Sequence, residues 1–186
     1  MAKKNKGDKK RKKQSNPYSE LGLKSKTPKN STPSAAHLTG VEVTLTLLDG
    51  DRPGEKMDIE IEHIDAEGLR YTREWRGNTE MGAMPMHNVM CIERRLDKGK
   101  GENFDKMPFD TSKVPAWASE HVGEHAAVSY NDGGRTQSLR SAFIGTVDGA
   151  GVLAAYSSYG YEKLRFIPHA RLVDMSFRLA DDEDDE

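Results

Sequence analysis

The chain is poor in the features that mark several large protein classes. It has one cysteine, Cys91, among 186 residues, so no internal disulfide is available. That count fits a reducing compartment, and a cytoplasmic setting, or a nuclear one in a eukaryote, is expected. The longest apolar runs are a few residues, far below the roughly 20 that a membrane helix needs. No apolar stretch follows the first lysines, so a secretory signal is not expected and neither is a membrane partner. Phosphate loops, dinucleotide fingerprints and nucleophile elbows are missing, which removes the commonest routes to an enzyme. Long amphipathic helix patterns are missing too.

What is present is charge, and it is unevenly placed. Hydrophobic residues make up 35% and charged residues 31% of the chain, a polar balance that suits small cores with solvated tails. Residues 1–30 carry a net +9, the closing DDEDDE carries −6, and the body between them carries −5. Residues 1–39 hold few large apolar side chains and cannot offset their ordering entropy, so they read as a disordered basic tail. Its run Lys9, Lys10, Arg11, Lys12 and Lys13 suits electrostatic capture of nucleic acid, or simple solubility. Residues 181–186 read as a disordered acidic tail.

Between the tails the chain repeats itself. Shifting residues 45–96 forward by 83 places them on 128–179 without a gap and with ten identities in 52 positions. Asp49-Gly50 falls on Asp132-Gly133, Asp65 on Asp148, Gly68 on Gly151, Gly77 on Gly160 and Pro85 on Pro168. The identities are punctuating residues, and apolar character is kept between them, which marks duplicated structure. The histidines near the two prolines, His87 and His169, are out of register by one residue. The domains expected are therefore a repeat at 40–96, a partly ordered linker at 97–123 with a short helix from Pro115, and a second repeat at 124–180.

Each copy reads as β. Residues 41–50, 57–65 and 69–75 alternate apolar and polar side chains, and 86–94 closes the unit; the second copy follows the same order. A short antiparallel sheet avoids open edges by curling shut. The fold expected is all-β: two tandem small antiparallel β-barrels with disordered termini.

The repeated unit resembles the Sm-like fold. The likeness rests on a Val-rich first strand, an Asp-Gly turn, a second strand ending in apolar-Asp, and the closing segments MPMHNVMCI (84–92) and IPHARLVDM (167–175). Met84, Asn88, Val89 and Ile92 match the family's closing motif, with Pro85 and Met86 in place of its Arg-Gly. The resemblance implies single-stranded RNA binding through Asp65, Gly68 and Asn88 in the first copy. In the second it implies Asp148, Gly151, His169 and Arg171. It also implies association of units through edge strands, hence a homo-oligomer.

Three residue groups could carry chemistry. The first is aromatic and basic: Arg73, Trp75 and Arg76 in the first copy, with Tyr156, Tyr159 and Arg165 in the second. Stacking on aromatics with arginine neutralising phosphate is how sequence-tolerant single-strand binders work. The competing reading packs the aromatics in the core. The charge of residues 41–96 is −5 and that of 124–179 is +1, so the second copy is the better phosphate surface. The second group is HVGEH (121–125), which fits an inverted zinc-protease pattern if His121 and His125 share a helix face. The third is acids such as Asp49, Asp51 and Asp132, which hairpin turns favour for backbone reasons. No cofactor is expected. The function expected is non-enzymatic binding of RNA or another single-stranded nucleic acid. The alternatives are a structural or adaptor protein, such as a viral assembly component, using its sheet edges for protein partners, and, remotely, a zinc-dependent hydrolase.

Overall fold

The computed structural model describes residues 32–50 and 52–176. The lysine-rich run and the acidic tail lie outside these residues. Ten strands follow one another with no α-helix between them. The first repeat gives β1 (Glu42–Asp49), β2 (Arg52–Ile64), β3 (Gly68–Trp75), β4 (Asn78–Pro85) and β5 (Val89–Arg95). The second gives β6 (His125–Asn131), β7 (Thr136–Val147), β8 (Gly151–Ser158), β9 (Tyr161–Pro168) and β10 (Leu172–Ser176).

All ten form one antiparallel sheet in the order β10-β6-β7-β8-β9-β5-β1-β2-β3-β4. Each repeat contributes the same run, fifth strand, first, second, third, fourth. Among the described residues no pairing closes either run upon itself. The all-β, antiparallel part of the expectation is met, as one continuous sheet. The physical reason lies in the middle: β5 of the first repeat pairs with β9 of the second, from Ile92–Phe166 to Arg95–Lys163. Two edges that closure would have hidden are hidden by each other.

The long second strands bend at bulges. β2 shifts register between Ile61 and His63, and β7 does so between Ile144 and Thr146. Each therefore serves one neighbour with its first part and another with its last. Gly68 and Gly151 follow these strands for a steric reason. A Cβ on Gly68 would lie 2.5 Å from the Met84 carbonyl oxygen, and one on Gly151 2.3 Å from that of Ile167. Only glycine lets the third strand approach the fourth so closely there.

The hydrophobic interior is shared. The first core holds Leu45, Ile59, Ile61 and Ile92 of the first repeat together with Leu153, Leu164 and Phe166 of the second. The second core holds Val128, Ile144 and Ile167 with Val152 and Ala154, from the opposite face of the β8–β9 hairpin. That hairpin is buried on both faces, whereas its counterpart β3–β4 is largely exposed. Phe104, Phe109 and Met107 of the linker pack on the first core, so the linker is pinned as its apolar residues suggest.

Residues 32–39, read from composition as part of a disordered tail, are ordered in the structure. Pro33–Ala35 form a 3-10 turn, Leu38 is fully buried, and Thr39 bridges to Ile61. The linker's expected helix is a similar turn, Ala116–Ala118. The two turns are copies at the same shift of 83. Leu38 N donates to Ala35 O at 2.9 Å and His121 N to Ala118 O at 3.0 Å. Gly40 N donates to Ile61 O at 2.9 Å and Gly123 N to Ile144 O at 2.8 Å. Duplication therefore reaches back to Pro33, beyond the span the side-chain pattern shows. No helix among the described residues is long and apolar enough to cross a membrane.

Candidate nucleic-acid interface and the joint between repeats

The aromatic and basic residues divide into two sets with different surroundings. Tyr156 and Arg165 belong to the joint. Tyr156 Oη donates to Glu93 Oε2 at 2.6 Å, and Lys163 Nζ donates to Glu93 Oε1 at 2.6 Å. The Arg165 guanidinium donates to the same carboxylate and to Tyr130 and Tyr156. Its carbon lies 4.9 Å from the Tyr156 ring centre and 5.6 Å from that of Tyr130. These two residues, expected on a ligand surface, bond to Glu93 across the joint between the repeats.

Electrostatics at this cluster follow from partial burial and close partners. Burial works to raise the Glu93 carboxyl, but bonds from Lys163, Tyr156 and Arg165 outweigh it and hold the group down to about 2. Burial pushes the Tyr156 hydroxyl up, and the neighbouring carboxylate adds to the rise against the opposing pull of Arg165. Burial also pushes the Cys91 thiol up, which keeps it protonated and unreactive.

The second set sits at two hairpin tips. β3 and β4 are joined by Arg76-Gly77 with φ of 52° and 79°, and β8 and β9 by Tyr159-Gly160 with 51° and 79°. Both central residues lie at positive φ, as the tight primed turn requires. Trp75 remains 45% exposed, with Arg73 and Arg76 at 5.2 and 5.5 Å from its ring centre. Arg73 is also held by Glu80 at 2.8 Å, so part of its charge is spent. Tyr159 is 97% exposed at the other tip. Next to it Tyr161 lies under the Arg95 guanidinium, 3.4 Å from ring centre to carbon. Arg95 and Tyr161 border an open cleft of about 450 Å³, with Leu96, Lys98, Gly160 and Glu162 also in its lining. Lys98 pairs with Glu162 there at 3.0 Å.

Arg95 and Lys98 were not singled out by the sequence. Arg95 stood in the repeat as an identity with Arg178, and the cross-strand partner that makes it notable, Tyr161, is invisible without the β5–β9 pairing.

The remaining expected residues are placed separately. Asn88 is exposed at the end of a 3-10 turn, Met86–Asn88. Asp65 accepts from Glu67 N, Gly68 N and the His63 ring; chiefly that ring bond lowers its carboxyl. In the second repeat Asp148 is 2% exposed and receives Ser34 through both N and Oγ at 2.7 Å. His169 donates from Nε2 to the Asp148 carbonyl. Arg171 donates to the His87 carbonyl at 2.7 Å. Lys9, Lys10, Arg11, Lys12, Lys13 and Asp51 lie outside the described residues, while Asp132 serves its turn by accepting from Arg135 N and Gln137 Nε2.

HVGEH does not form a helix. Gly123 has φ of 88° and His125 opens β6, so the two histidines do not share the helical face that the zinc-protease geometry needs. Among the described residues no three His, Cys, Asp or Glu side chains come together as a metal site. No family model, curated protein or solved structure matches the chain.

Proposed function

We propose that the chain is a non-enzymatic binder of single-stranded RNA, built from two Sm-like units of small-barrel type. The observation that carries this reading is the exposed aromatic and cationic surface at the second repeat's hairpin tip. Tyr159 projects into solvent and Tyr161 carries Arg95 on its face at the mouth of a cleft. A base stacks on such a ring while guanidinium and ammonium groups neutralise its phosphate. Trp75, between Arg73 and Arg76, supplies an equivalent platform on the first repeat. The five-strand order found in both halves supports the Sm-like assignment. The basic tail strengthens capture without specificity.

The test is fluorescence anisotropy of the full chain with a labelled oligouridine across a salt series. Binding should weaken with salt. Tyr159→Ala with Tyr161→Ala should cost roughly 10- to 100-fold in affinity, as lost base stacking does. Equal affinity in wild type and the double variant overturns the reading. A second reading, a structural adaptor, is favoured by one different feature: among the described residues β4 and β10 end the sheet with no strand paired to their outer edges.

A further inference from the structure

One wall of the cleft beside Tyr161 is the Glu162 side chain. Lys98 Nζ lies 3.0 Å from its Oε1. Its Oε2 is buried, and no donor among the described residues reaches it. A buried carboxylate oxygen without a donor is costly, and in the lining of a cleft it points to a ligand that supplies one. The backbone there is fixed, because Leu96 N donates to the Glu162 carbonyl at 2.9 Å. The ammonium is the movable partner. The Lys98 side chain is 64% exposed and that of Glu162 only 13%.

The pair sets one cationic donor beside two carboxylate oxygens. Among the four RNA bases only guanine carries the complementary edge, an O6 acceptor next to two adjacent donors, N1–H and the 2-amino group. Adenine and cytosine have a single amino donor beside an acceptor, and uracil has one N–H between two carbonyls. Each of those three leaves a carboxylate oxygen unmatched. A stacking surface adjoins the pair. Tyr161 supports the Arg95 guanidinium on one face, and Arg95 is exposed. Guanidinium planes stack unpaired bases. The terminal torsion of a glutamate is broad, so rotation about it turns Oε2 into the cleft.

We propose that this cleft reads guanine in a single RNA strand. The base stacks on Arg95, Glu162 accepts from N1–H and the 2-amino group, and Lys98 moves from Glu162 to O6. The proposal rests on the RNA reading above and adds a choice of base to it. It belongs to the second repeat alone. At the shift of 83 Tyr161 falls on Asn78 and Glu162 on Thr79, whose hydroxyl donates to Glu74. The Trp75 tip therefore stacks a base without choosing one.

Fluorescence anisotropy of the full chain tests this with a labelled oligouridine carrying one central guanosine, inosine, adenosine or cytidine. The guanosine strand should bind roughly tenfold or more above the adenosine and cytidine strands. Inosine keeps O6 and N1–H but lacks the 2-amino group, and should fall between guanosine and adenosine. Glu162→Gln should bring the guanosine-to-adenosine ratio close to one. Lys98→Ala, at an exposed side chain, should cut that ratio several-fold, and carries the test if the glutamine variant misfolds. Lys100→Ala removes an equal charge from the same turn and should keep the wild-type ratio. A wild-type ratio near one overturns the guanine assignment and leaves the RNA reading standing. So does a ratio unmoved by Glu162→Gln or Lys98→Ala, an equal loss from Lys98→Ala and Lys100→Ala, or inosine as good as guanosine. A chain that binds none of the four strands overturns both readings.

Discussion

Replacing Glu93 by glutamine should loosen the joint by a calculable amount. The carboxylate is 22% exposed and accepts from Tyr156, Lys163 and Arg165, whose own side chains are mostly covered. A carboxyl held at about 2 instead of its ordinary 4.5 has gained about 3 kcal/mol for its ionised form. Glutamine forfeits that gain and leaves Arg165 and Lys163 without their counter-charge, a change of the same order. With a urea dependence of about 2 kcal/mol per molar, the midpoint should fall by roughly 1–2 M at pH 7. The pH dependence has a definite sign. The folded-state value is the lower one, so the stabilisation is complete above 4.5 and disappears as pH falls from there toward 2. The gap between wild type and Glu93→Gln should therefore be flat from pH 7 to about 5 and close below it. Urea titrations followed by circular dichroism at several pH values measure both. A midpoint change below about 0.3 M, or a gap unaltered at the acid end, would refute the reasoning.

The other perturbations touch different parts of the same construction. Asp148→Asn should cost about 2–3 kcal/mol in urea unfolding, because a buried carboxylate accepting from Ser34 and Ala150 becomes a half-matched amide. Gly151→Ala drives a methyl into the Ile167 carbonyl and should lower stability by about 1–3 kcal/mol, read as a fall in melting temperature. Phe166→Ala empties the core that both repeats share, at a cost of about 3–5 kcal/mol, and unfolding should remain a single transition. By contrast Glu62→Gln removes an exposed ion pair with Arg70 and should change the midpoint by less than about 0.5 kcal/mol equivalent.

Much of the β content was readable because alternation is a local property. Val43, Leu45, Ile59 and Ile61 point inward as their spacing implies. β4 went unread, since Asn78–Pro85 contains a glycine and two methionines but no β-branched residue other than Thr79. β2 also begins earlier than residue 57, because Pro53 and Gly54 resemble a turn and in fact lie in the start of the strand. Residues 32–39 looked like tail by composition; the overlooked signal was Ala35 on Ala118 and Gly40 on Gly123 at the same shift. The site was legible only in part. Tyr156 with Arg165 and Tyr161 with Arg95 have the same residue types, yet one pair is committed to a carboxylate and the other is open to solvent. What separates them is the acid across the strand, Glu93, and strand pairing at long range is not written in any local period.

The doubly covered β8–β9 hairpin also sets an order of events during synthesis. Ile92 leaves the ribosome well before Phe166, the residue it must face, and at ordinary elongation speeds the delay is roughly 4–15 s. During that interval Leu45, Ile59 and Ile61 have strands to join but no lid over them. The nascent amino-terminal half thus keeps that apolar surface uncovered until its own duplicate arrives to complete the core.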